Sequence, residues 1–176
     1  MKVTTTAIPG VLLITPKVFG DSRGFFLETW NQARYAEAGI AGPFVQDNHS
    51  HSAKGVLRGL HFQKKFSQGK LVSVTRGTVF DVAVDIRKDS PSFGEWVGVT
   101  LSADDHQQFY VPPHLAHGFC VLSETADFHY KCTDHYYHPE DEGCIRWDDP
   151  DLDIRWPIAK PELSAKDANA SYLKDL

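Results

Sequence analysis

The stretch Thr78-Val79-Phe80-Asp81-Val82-Ala83-Val84-Asp85-Ile86 decides the fold class. Val79, Asp81, Ala83 and Asp85 alternate with Phe80, Val82, Val84 and Ile86, a two-residue period with one wholly apolar face. Just upstream, Lys70 to Thr75 reads as a second strand, with Arg76-Gly77 as the turn between them. A Pro- and Ser-rich turn over Lys88 to Gly94 precedes strand-like Glu95 to Leu101. Further strands are expected over Gln107 to Val111, His117 to Leu122, Ala126 to Thr133 and Cys144 to Trp147. Many short strands with intervening turns indicate an all-β sandwich or barrel. Helical pattern is scarce. Asn31 to Gly39 is a short helix with Asn31 as cap and Gly39 as terminator, and Ser164-Ala165-Lys166-Asp167 has capping-box spacing.

With 176 residues, 41% hydrophobic and 23% charged, the chain is expected to form one domain, 1–176, with a substantial core. Its apolar runs are too short to span a bilayer, and the Met1 to Thr6 start lacks a signal-peptide core, so a cytoplasmic protein is expected. A net charge of -5 argues against a general nucleic-acid binder. An anionic small molecule remains compatible if the positive charges gather in a cleft. Cys120, Cys132 and Cys144 sit in no C-x-x-C pair and read as buried free thiols. Walker A, G-x-G-x-x-G, G-x-S-x-G and zinc-finger spacings are absent from the sequence.

Four stretches can carry chemistry. Val56-Leu57-Arg58-Gly59-Leu60-His61-Phe62-Gln63 holds a permanent cation and a titratable imidazole three positions apart. On a regular strand these would face opposite ways, so service to one pocket requires a bulge, which Gly59 permits. Gly20 to Glu28 places Arg23 and Glu28 around a turn that leads into an aromatic strand. Gln46-Asp47-Asn48-His49-Ser50-His51 contains an H-x-H pair, but Ser52-Ala53-Lys54-Gly55 follows where a metal cupin carries a glutamate. His114 and His117 are the candidates to complete such a metal set. Phe128 to Glu142 carries Tyr130, Lys131, Tyr136 and Tyr137. Taken singly, each residue has a structural reading: Asp167 as a helix cap, His61 as a satisfied core histidine, Lys70 and Lys166 as solvated lysines, His117 as a turn residue. Gln46 and Asn48 read as turn polars, and Glu28 and Glu142 as exposed carboxylates.

The ordered set changes that reading. Phe19 to Phe26, Gln46 to Ser50, Val56 to Gln63, Gln68 to Val72, Phe80 to Arg87, Ala116 to Phe119, Tyr130-Lys131 and Leu163 to Ala168 strongly resemble the dTDP-4-dehydrorhamnose 3,5-epimerase family. The resemblance covers nearly the whole chain and implies a cupin-like jelly roll, a dTDP-sugar substrate and no cofactor or metal. It also implies a homodimer in which an N-terminal strand reaches the partner's site. By resemblance His61 is the base, Asp167 its partner, Tyr130 the acid on the opposite sugar face, and Lys70 the group at the ketone oxygen. Arg23, Glu28, Gln46, Asn48, Arg58, His117, Glu142 and Lys166 are the implied substrate-binding positions, Arg23 and Glu28 coming from the neighbouring subunit. The segment 133–139 is one residue longer than the family pattern, which leaves Glu140 and Asp141 as alternatives to Glu142.

The chemistry explains the residue types. Inverting a carbon beside a ketone removes a proton from one face, creates an enolate and returns a proton to the other face. Neutral histidine, with a reference pKa of about 6.5, is a suitable base, and tyrosine, at about 10, keeps its proton for delivery. Arg58 and Arg23 can grip a diphosphate through forked hydrogen bonds, so no metal is needed to neutralise it. Two other classes compete: a metal-dependent cupin using His49, His51 and His114 or His117, and a carbohydrate-binding module without catalysis.

Overall fold

A computed structural model describes residues 1–40, 42–134 and 139–176. In chain order the strands are β1 (Lys2–Thr5), β2 (Leu12–Thr15), β3 (Val18–Asp21), β4 (Gly24–Leu27), β5 (Gln46–Ala53), β6 (Leu57–Gln63) and β7 (Lys70–Arg76). They continue as β8 (Thr78–Asp85), β9 (Trp96–Ser102), β10 (Gln108–Val111), β11 (Leu115–Val121), β12 (Thr125–Cys132) and β13 (Glu142–Cys144). Short helices α1 (Gln32–Glu37) and α2 (Ala165–Ala168) complete the set. One sheet has six strands in the order β1-β2-β10-β7-β12-β5, and the other has five in the order β13-β6-β11-β8-β9. Strands β3 and β4 form a separate hairpin. Pairing within the sheets is antiparallel throughout, giving the cupin-like jelly-roll sandwich.

Side-chain alternation builds the core. Val72, Val74, Phe109 and Phe128 of the six-stranded sheet meet Val79, Ala83, Leu101, Phe119 and Val121 of the other. The decisive strand β8 departs from a half-exposed pattern, because both of its faces are buried. Val79 and Ala83 point into the sandwich, while Val82 and Val84 pack outward with Leu60, Ile145, Leu152 and Leu173. The C-terminal segment covers what would otherwise be a solvent face. Its backbone is tied back by Leu57 N–H to Glu162 O at 3.0 Å and Arg146 N–H to Ser171 O at 2.9 Å. The last strand ends at Cys144, where a strand through Trp147 was expected. The reason is local: Ile145 instead bridges to Ser171 in parallel, and Asp149 N–H turns back to Arg146 O.

Both helices have the expected caps. Asn31 Oδ1 accepts from Arg34 N–H at 3.2 Å, and Ser164 Oγ accepts from Asp167 N–H at 3.1 Å. Helix α1 covers the outer face of the six-stranded sheet through Tyr35, which packs with Leu12, Ile14, Ile40 and Tyr110. At the loop after β8, Asp85 shows how a buried charge is held. Burial alone would raise its carboxyl, but Arg87, Ser90 and Ser92 donate at 2.6–2.8 Å and hold it well below the usual carboxylate range.

The bulge required between Arg58 and His61 is present. His117 pairs with His61 and Phe119 with Arg58, so β6 uses three steps against two on β11. Gly59 sits there with φ +135°, and a Cβ added to it would lie 2.5 Å from Gly118 Cα and 2.9 Å from the His117 carbonyl oxygen. The packing therefore requires the absence of a side chain as well as the unusual φ. Gly59→Ala is expected to cost about 2 kcal/mol or more in urea denaturation. A loss below about 0.5 kcal/mol would contradict the close approach of β6 to β11.

Candidate active site

The bulge turns Arg58 and His61 toward one cavity of about 200 Å³, whose lining also includes Ser50, Lys70, His117 and Tyr130. His61 and His117 come from the five-stranded sheet, Lys70 and Tyr130 from the six-stranded one, so the two sheets supply opposite walls. The volume lies below the ~300–1,000 Å³ of drug-sized ligand sites, enough to seat a ring and leave a nucleotide outside. A larger cavity of about 930 Å³, lined by Phe62, Arg87, Lys88 and His114, lies on the outer side of the five-stranded sheet. It contains none of His61, Lys70, Tyr130 and Asp167, and of the alternative metal set only His114, so size does not locate the site.

His61 is oriented from behind. Its Nε2 lies 2.7 Å from Asp167 Oδ1, and the Asp167 side chain is only 4% exposed. Asp167 is far away in sequence and reaches His61 because the C-terminal segment folds back and the Ser164 cap fixes α2. Burial opposes the Asp167 charge, but the His61 hydrogen bond and charge, with the Ser164 and Cys144 contacts, outweigh it and hold the carboxyl low. The carboxylate therefore accepts from Nε2–H and leaves the lone pair on Nδ1.

The opposite wall has the reverse electrostatics. Burial raises the Tyr130 phenol, nearby Cys132 and Glu142 add to this, and Arg58 opposes it, so the hydroxyl holds its proton. Lys70 is 9% exposed; burial pulls its ammonium down, while Cys132, Glu142 and Asp81 pull it back up. A poorly hydrated cation at this depth interacts strongly with charge that develops beside it.

The remaining expected residues divide into two groups. Arg58 Nε donates to Ser52 Oγ at 3.1 Å, and Gln46 Nε2 donates to Asn48 Oδ1 at 2.9 Å on the inward-facing positions of β5. Glu142 pairs with Lys166 Nζ at 2.6 Å, beside Asp167 on α2. Asp141 instead accepts the backbone N–H groups of Lys65 and Phe66. Arg23 and Glu28 do not line this cavity: Arg23 pairs with Asp21 in the exposed β3–β4 turn, and Glu28 pairs with Arg34. Tyr136 and Tyr137 lie outside the described residues.

The H-x-H pair is not brought to the cavity. His49 and His51 share the outward face of β5, where both meet Asp127, while His117 lies inside and His114 is exposed. The pattern of strand alternation separates the proposed metal set. Sequence reasoning missed two residues. Asp81 is fully buried and its Oδ1 lies 2.7 Å from His117 Nε2, a second imidazole–carboxylate pair, while its Oδ2 meets no donor among the described residues. Its place on the inward face of β8 was legible; a buried acid there needs a partner. Cys144 pairs across the sheet with His61, and its thiol is pushed up to about 12 by burial and by Asp167.

Comparison with known proteins fits this geometry. Residues 5–175 match the family model for dTDP-4-dehydrorhamnose 3,5-epimerase. The chain is 58% identical to the dTDP-4-dehydrorhamnose 3,5-epimerase of Salmonella typhimurium, with 98% of this chain and 96% of that protein covered. Identity to the Pseudomonas aeruginosa enzyme of the same name is 56%, covering 99% of this chain and 97% of that one. The crystal structure of dTDP-6-deoxy-D-glucose-3,5-epimerase from Legionella pneumophila, in complex with dTDP-4-keto-L-rhamnose, superposes with a TM-score of 0.95 at 56% identity. That alignment covers 98% of this chain and 93% of the Legionella chain. With its matched length, its jelly roll and its cavity walled by His61 and Tyr130, this chain belongs to the dTDP-4-dehydrorhamnose 3,5-epimerase family.

Proposed function

We propose that this chain epimerises dTDP-4-dehydro-6-deoxy-D-glucose at C3 and C5 to dTDP-4-dehydro-L-rhamnose, without a cofactor, as a step of dTDP-L-rhamnose biosynthesis. One observation carries the reading: an imidazole backed by a buried carboxylate faces a phenol across a ring-sized cavity. His61 Nδ1 takes the proton beside the ketone, and Asp167 stabilises the imidazolium that forms. The electron pair moves to the ketone oxygen, where Lys70 balances the charge. Tyr130 then delivers a proton from the far face. Repetition at the second carbon flanking the ketone gives the double inversion.

His117, held by Asp81, stands beside His61 in the same wall and binds the sugar. Arg58 takes the diphosphate, while Gln46, Asn48, Glu142 and Lys166 position the rest of the substrate. Arg23 and Glu28 act on a second copy of the chain. Their hairpin presents Phe25 and Phe26 at 61% and 69% exposure, apolar surface that supports strand exchange in a homodimer. The absence of any long apolar helix among the described residues is compatible with a cytoplasmic enzyme.

Incubation with the 4-keto substrate in heavy water tests the reading: deuterium should enter at C3 and C5, and absence of exchange at both carbons would overturn it. His61→Ala should lower turnover by about 10²–10⁴-fold while leaving dTDP binding in place; near-normal exchange would remove His61 from the base role. Tyr130→Phe should retain proton abstraction but slow productive inversion, seen as exchange outrunning product, whereas an unchanged ratio would count against the phenol as acid. Asp81→Asn should reduce kcat/KM about 10–100-fold, as loss of an orienting carboxylate does elsewhere, and unaltered kinetics would make the Asp81–His117 pair purely structural.

A further inference from the structure

His61, Cys144 and Asp167 converge so that one donor atom from each lies within 4.8 Å of the other two. The same Asp167 Oδ1 that meets His61 Nε2 at 2.7 Å stands 3.6 Å from Cys144 Sγ. Proton transfer between His61 and Tyr130 gives the thiol no task. Imidazole nitrogen, sulfur and a single carboxylate oxygen are the donor set of a zinc-class ion, not of magnesium or calcium.

We propose that these three side chains form a binding site for a zinc-class divalent ion, and that its occupation switches the enzyme off. The oxygen–sulfur and oxygen–nitrogen separations are close to what tetrahedral zinc requires. Bonds of about 2.3 Å to sulfur and about 2.0 Å to nitrogen and oxygen separate sulfur from oxygen by about 3.5 Å, and nitrogen from oxygen by about 3.3 Å. The first separation is already met. The second asks the His61 ring to swing by roughly 0.5 Å, and the nitrogen–sulfur separation, within 4.8 Å, closes to about 3.5 Å as the Cys144 side chain turns toward the ring; the His61 side chain is 27% exposed while Asp167 is 4% exposed. On binding, the thiol proton leaves to solvent, so one thiolate and one carboxylate neutralise the divalent charge and no net charge is buried.

Inhibition follows from the tautomer and rests on His61 being the base. An ion on Nε2 obliges the neutral ring to carry its proton on Nδ1. That nitrogen then has no lone pair for the substrate's proton, and Asp167 is engaged by the metal.

The test uses the intact protein with cobalt(II) as a spectroscopic probe and zinc(II) as the inhibitor. Cobalt should produce a stoichiometric thiolate-to-metal charge-transfer band in the near ultraviolet, absent in Cys144→Ser. Zinc should inhibit the wild type, reversibly by chelator, at concentrations at least about tenfold below those needed for Cys144→Ser, which keeps its basal turnover. No thiolate band in the wild type, or equal zinc sensitivity in the two proteins, would overturn the site. The wild-type band decides the matter even if the variant folds poorly. A band with turnover undiminished would overturn the inhibitory role, and with it His61 as the base, while leaving the metal site in place.

Discussion

The hydrogen bond between His61 and Asp167 is the constraint on which the rest of the molecule depends. It joins a strand of the sandwich to a helix 106 residues further along the chain. A carboxylate this buried persists only with a charged or hydrogen-bonded partner. The C-terminal segment must therefore return across the five-stranded sheet, and its apolar residues Leu152 and Leu173 secure that return by covering Leu60, Val82 and Val84. Packing on the outside of the sheet thus fixes a tautomer on the inside.

The opposite wall complements this arrangement through desolvation rather than pairing. Tyr130 and Lys70 are both disturbed chiefly by burial, which raises the phenol and lowers the ammonium. One sheet therefore offers an imidazole hydrogen-bonded to a buried carboxylate, and the other a retained proton and a weakly hydrated cation. Proton abstraction and delivery from opposite faces of a flat enolate require that polarity across the cavity. A single sheet could not supply it, because its inward side chains all approach from one side.

Strand alternation made most of the sandwich legible, and Gly59 announced the bulge that brings Arg58 and His61 together. Ser164 likewise marked the helix that carries Asp167. Polar strands were harder to read. Gln46 to Ala53 forms a full strand although its residues favour turns, because β12 supplies a complete ladder to pair with. The double burial of β8 was hidden because its outer cover comes from beyond residue 150, a non-local contact without local periodicity. Asp81 escaped notice for a related reason: it matters only through a histidine on a neighbouring strand, and the place of Cys144 beside Asp167 arises only in the fold. The metal alternative at His49 and His51 failed on alternation itself, since odd positions of β5 face outward.

The central claim is that a keto-hexose lies flat between His61 and Tyr130. A crystal structure of the protein with a bound, unreactive dTDP-sugar tests this most directly. The predicted complex has ring C3 and C5 about 3–3.5 Å from the His61 imidazole, the Tyr130 hydroxyl on the other face and Lys70 Nζ at the C4 oxygen. A sugar bound outside the cavity, or with both side chains against one face, would contradict the account.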